Sequence, residues 1–172
     1  MFKIGSYVSY RSEGVCVVSD IRDESFGTIG TSEKYYILTP VNDMKSVVFV
    51  PVANERLVGY MRPLMSAGEI TQMLDELRDV RMDWITDSRA RSAAFREVLS
   101  LGDRRQLVVL VNTVSEKIAE LTAAGRKVGS TELGALSRAE KMLYDEFSAT
   151  TDISSSEKII PLLRGKLSLN DK

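Results

Sequence analysis

The chain has 172 residues, 44% of them hydrophobic and 27% charged, which fits one large or two small globular cores and excludes a fibrous or disordered chain. No histidine and a single cysteine, Cys16, exclude Ser-His-Asp and Cys-His catalysis, imidazole-ligated metals and an internal disulfide framework. A net charge of −1 excludes a strongly basic, free-standing DNA binder, so any contact with phosphate is expected to need help from something already on the DNA.

The opening Met1-Phe2-Lys3-Ile4-Gly5 lacks the basic and long apolar regions of a secretory leader. No run approaches the roughly 18 apolar residues of a membrane span. With one thiol, a reducing cytoplasm is the expected location, and no membrane association is expected.

Residues 1 to about 62 read as β structure. Ser6 to Tyr10 alternates in the strand period, and Val15-Cys16-Val17-Val18, extended by Ile21, follows Gly14. Gly27 and Gly30 suit a turn between Phe26 and Ser32. Tyr35-Tyr36-Ile37-Leu38, bounded by Pro40, is a further strand. Val47-Val48-Phe49-Val50-Pro51 is the strongest β run. Short strands at this spacing predict a small barrel or sandwich.

From residue 66 the period turns helical. Ile70, Met73, Leu74 and Leu77 share one helix face, with Ser66 and Glu69 placed for a capping box. Ala94, Phe95, Val98 and Leu99 mark a second helix that Gly102 stops. Leu107, Leu110, Val111, Val114, Ile118 and Leu121 mark a third, ended by Gly125. Leu133, Leu136, Leu143 and Phe147 mark a fourth, and Ile159, Ile160, Leu163 and Leu167 a fifth whose start Pro161 blurs. The expected boundary falls at Arg62-Pro63, between a β-domain over 1–62 and an all-helical domain over 63–172.

The sequence offers few sites for chemistry. Gly125 to Thr131 has the wrong glycine spacing for a phosphate loop and follows a helix, so it reads as a helix–helix connection. Asp75, Glu76 and Asp79 share a helix with Arg78 and Arg81, the pattern of a solvated face. No nucleophile–base pair stands out, and neither an enzyme nor a cofactor is expected.

Two features point to partners instead. Trp84, the sole tryptophan, lies among Arg78, Arg81, Arg89, Arg91 and Arg96. An aromatic among arginines at a helix end can probe a groove while the cations hold phosphates; a core residue under a loop is the plain alternative. In the strand, Val47 and Phe49 share one face and Val48 and Val50 the other. A small barrel buries one face of each strand, so one pair is left for a partner or for the helical domain to cover. Val48, Phe49, Val50 and Pro51 are the candidate protein-binding residues, and a charge at Val48 or Val50 is expected to weaken binding without unfolding the chain.

Phe2-Lys3-Ile4-Gly5, Val8, Tyr10, Gly14-Val15 and Ile21, then Tyr35 to Leu38, Val48 to Pro51 and Val58-Gly59, resemble the bacterial CarD/CdnL family of transcription regulators. The helical half resembles it too, in Trp84, Arg89, Arg91, Leu99 to Gly102-Asp103, Leu136-Ser137 and Glu140-Lys141. The resemblance implies an α+β protein: an N-terminal Tudor/SH3-like β-barrel and a compact all-helical domain of about five helices. The barrel would bind the β subunit of RNA polymerase, as does the related module of the transcription-repair coupling factor. The helical domain would contact promoter DNA weakly and without sequence preference at the upstream edge of the melted region, and stabilise the open complex. Trp84 matches the family's wedge, and Arg89, Arg91 and Lys141 fall at or near its basic positions. A monomer is expected. Ser6 and Arg11 depart from the family's usual acidic residue and proline, and Glu24 and Phe49 stand where some members use arginines toward polymerase.

Overall fold

The computed structural model describes residues 1–26 and 32–172, so the turn expected around Gly27 and Gly30 lies outside the described residues. The chain divides into two compact units, Met1–Leu64 and Met65–Lys172.

Strands β1 (Tyr7–Tyr10), β2 (Gly14–Glu24), β3 (Glu33–Pro40), β4 (Val48–Pro51) and β5 (Met61–Pro63) build the first unit, with a one-turn helix α1 (Glu55–Val58) between the last two. They form one antiparallel sheet in the order β4-β3-β2-β1-β5. A barrel would need β4 and β5 to pair, and they do not: among the described residues, β4 bonds only β3 and β5 only β1. The expected Tudor/SH3-like barrel is therefore corrected to an open five-stranded sheet. Short edges are the physical reason. β4 has four residues and β5 three, both ending in proline, which brings no N–H to a ladder.

Register fixes the buried face. Tyr36 faces Val50 and Leu38 faces Val48 across the β3–β4 pair. Tyr36, Leu38 and Val50 pack with Val8, Cys16, Val18 and Met61 in one core. Gly14 has φ 73°, a left-handed turn residue that lets β2 fold straight back on β1.

The second unit contains α2 (Ala67–Leu77), α3 (Ser88–Leu101), α4 (Arg104–Ala123), α5 (Ser130–Phe147) and α6 (Ile159–Leu163). The capping box is formed: the Ser66 N–H donates to Glu69 Oε2 at 2.8 Å and the Glu69 N–H to Ser66 Oγ at 3.4 Å. Asp87 and Asp103 cap α3 and α4 by accepting from the Ala90 and Gln106 N–H groups at 2.8 and 3.0 Å. Gly102, at φ 61°, ends α3 in the left-handed conformation, so α4 starts two residues later.

Their apolar stripes share one core, including Ile70, Leu74, Phe95, Leu99, Leu107, Val111, Leu143 and Phe147. In α5 the buried stripe differs from the expected one. Ala135, Ala139, Leu143 and Phe147, four residues apart, face inward, while Leu133 is exposed. Small residues at 135 and 139 allow close approach to α4, the helix α5 packs against most. The last helix is shorter than expected. Pro161 sits in its first turn, where a missing N–H is harmless, and Leu167 lies outside it, exposed.

Candidate functional site

Strand β4 is an edge of the sheet, and its outward face carries an aromatic cluster. Phe49 stands 4.9 Å from Phe26 and 6.3 Å from Tyr35, and Phe26 stands 5.3 Å from Tyr35, all edge-on. Phe26 is exposed, Phe49 is 36% exposed, and Val47 beside it is 49% exposed. The opposite face is closed: Val50 is 0% exposed and Val48 half-buried. The open apolar pair is therefore Val47 and Phe49. Glu24, at the end of β2, accepts from Arg22 at 2.7 Å, and Arg22 also reaches Asp20 at 3.0 Å.

Trp84 lies in the segment between α2 and α3, half-buried against the helical core, with the Phe95 ring 6.4 Å away. Two cations sit near its ring: the Arg91 guanidinium carbon at 4.9 Å and Lys117 Nζ at 5.6 Å. Hydrogen bonds tie the segment down on both sides of the ring. The Met82 N–H donates to Thr113 Oγ1 at 3.0 Å, Arg81 Nε to Glu116 at 2.6 Å, and Arg91 Nη1 to the Ile85 and Thr86 carbonyls at 2.7 and 3.0 Å.

The basic residues singled out in the sequence differ in availability. Arg89 is exposed and, among the described residues, carries no ion pair. Lys141 is exposed and pairs with Asp145 at 2.7 Å, one helical turn on. Arg91 is turned inward: its Nε donates to Glu132 at 2.8 Å in a pair whose side chains are only 13% and 7% exposed. The structure thus brings Arg91 to Trp84 and leaves Arg89 as a free surface cation.

The family comparison decides what kind of sheet this is. A model described as the CarD-like/TRCF RID domain matches residues 2–65. The match spans nearly the whole N-terminal unit and stops at the first residue of the helical one. The match supports a general transcription-associated role directed at RNA polymerase. A search of curated proteins returned no match for the chain.

Within the RID domain, Phe26 and Tyr35 extend the Phe49 surface, and neither was singled out from sequence. Tyr35 faces Pro51 in the ladder, next to Phe49, so the pairing register was the signal that could have found it. In the helical unit, Lys117 and Glu132 are far from Trp84 in sequence and no local pattern joins them to it. Cys16 in the RID core is fully buried, and burial pushes its thiol up to about 12, which leaves it a packing residue rather than a nucleophile. Among the described residues, no group of three or more histidine, cysteine, aspartate or glutamate side chains is placed to hold a metal. No helix among them is long and apolar enough to cross a membrane.

Proposed function

We propose that the chain is a polymerase-tethered regulator of promoter opening. The RID domain binds the β subunit of RNA polymerase through edge strand β4, with Phe49, Val47 and Pro51 at the contact and Phe26 beside them. The helical unit touches DNA weakly and without sequence preference at the upstream edge of the bubble. Trp84 presents its open edge to unstacking base steps, and Arg89 and Lys141 hold phosphates. What carries the reading is an aromatic cluster left open on the edge of a sheet that matches the RID family. An exposed edge flanked by apolar side chains suits strand addition or a flat apolar docking face.

The Trp84 contact works by difference. A side chain that meets the bubble better than the closed duplex shifts the equilibrium toward the open complex. About 1.4 kcal/mol of such difference is a tenfold shift. The Trp84→Ala chain is expected to bind polymerase as before and to lose most of the effect on open-complex lifetime. A mutant that still prolongs the lifetime fully would remove Trp84 from the mechanism.

A second reading has an observation of its own. An apolar groove of about 430 Å³ between α3 and α4, lined by Met82, Ala94, Val98, Leu101 and Val109, suits an adaptor whose helical unit recruits another protein and makes no DNA contact. Crosslinking from position 89 to promoter DNA within the polymerase complex separates the two, since the adaptor gives none.

A further inference from the structure

We infer that Arg91 is a positioning residue for Trp84, held in place by Glu132, rather than a contact to phosphate. The inference rests on the proposed role of Trp84 and names what sets its ring.

The guanidinium meets the indole, one carboxylate and two carbonyls at once. Its central carbon lies over the indole, 4.9 Å from the ring centroid. Along its edge, Nε donates to Glu132 Oε1 at 2.8 Å, and Nη1 donates to the carbonyls of Ile85 and Thr86, the two residues after Trp84. One planar group thus fixes the ring and the backbone that carries it. Arginine can do this because its fork is rigid and its donors diverge in a plane; lysine offers a point charge with no such plane. With the side chain 13% exposed and its charge matched by a carboxylate 7% exposed, little of Arg91 is left for a phosphate.

Glu132 is built into this arrangement by its neighbour. It lies in the first turn of α5, whose N-cap is Gly129. A Cβ at position 129 would collide with Glu132 Oε2. Gly129 has φ −75°, an ordinary value, so no demand of backbone conformation calls for glycine there. The empty space on Gly129 is where the Glu132 carboxylate sits as it reaches back to Arg91 on α3. Gly129, Glu132, Arg91 and Trp84 form one chain of contacts across two helices and a connecting segment.

The two roles for Arg91 predict opposite results for Glu132→Gln. Removing an acidic charge beside a phosphate contact should tighten DNA binding. Removing the anchor of a positioning arginine should loosen Trp84 and weaken the promoter effect. The test uses the full chain, with Glu132→Gln, Gly129→Ala and Arg91→Lys variants. Trp84 is the sole tryptophan, so its emission reports the ring directly. Expected for all three are a red-shifted emission, readier acrylamide quenching, and an open-complex lifetime several-fold shorter, with melting curves that still show a folded chain. Gly129→Ala keeps both charges, so it holds the test open if Glu132→Gln does not fold. Unchanged Trp84 emission in the folded variants overturns the inference, as does an Arg91→Lys chain with wild-type emission and lifetime. The emission arm stands without DNA. A Trp84→Ala chain with an undiminished effect on lifetime would fail the proposed function, while shifted emission in the clamp variants would still establish the clamp.

Discussion

Neighbouring positions on one strand should answer a charge in opposite ways. Val50 is fully buried opposite Tyr36, so Val50→Asp puts an unpaired carboxylate in the sheet core. A loss of about 3–5 kcal/mol is expected, enough to unfold a small unit, and denaturant melting of the mutant measures it. Phe49, one residue away, points out. Phe49→Asp should melt as the wild type does and bind the polymerase β subunit more weakly; a folded mutant that binds as tightly as the wild type would clear this face of the proposed role. The sequence pattern showed that the two faces differ, since strand period alone separates 47 and 49 from 48 and 50. It did not show which face was inside, because both are apolar. The expectation that a charge at Val50 spares the fold is corrected by the register with β3. Arg91 repeats the lesson: position in sequence put it among surface arginines, and only the approach of α5 revealed Glu132 as its partner.

The helices with strong local signals form as read, and those whose limits depend on tertiary contacts do not. The start of α2 was legible because a capping box is a local object, written in Ser66 and Glu69. Ser66→Ala should cost about 1 kcal/mol, read from the melt of Trp84 fluorescence. The same box has a pH signature. The Ser66 N–H and then its hydroxyl hold the Glu69 carboxyl below its ordinary 4.5. A carboxyl lowered in the folded state stabilises above its unfolded value and loses that contribution as pH falls through the folded one. The wild type should therefore lose stability as pH drops below 4.5, and Ser66→Ala should lose less over that range; equal slopes in the two chains would count against the box. The buried stripe of α5 was misread because alanines at 135 and 139 carry little hydrophobic signal, yet they face α4. The closed barrel was misread because strand count and spacing do not say whether the two edges meet. Three-residue β5 and its terminal proline decide that, and β5 gave no strand signal in the sequence.

At the scale of the molecule, charge sets how the two units can work together. The chain has 23 basic and 24 acidic residues, so it lacks the field that draws DNA binders to phosphate unaided. Under the proposed function, polymerase supplies what the charge does not: once the RID domain is seated, DNA contact becomes intramolecular at an effective concentration on the order of millimolar. A contact too weak to detect in solution then suffices. The free chain at micromolar concentration and physiological salt is accordingly expected not to retard promoter DNA. Its effect on open-complex lifetime should saturate at the same concentration as its binding to polymerase, because binding polymerase is the only bimolecular step. Phe49→Asp should shift the midpoint of the lifetime effect to higher concentration while leaving its plateau; Trp84→Ala should lower the plateau while leaving the midpoint. Retardation of DNA by the free chain, or a midpoint that moves with Trp84 instead, would mean that DNA binding recruits the protein and polymerase follows.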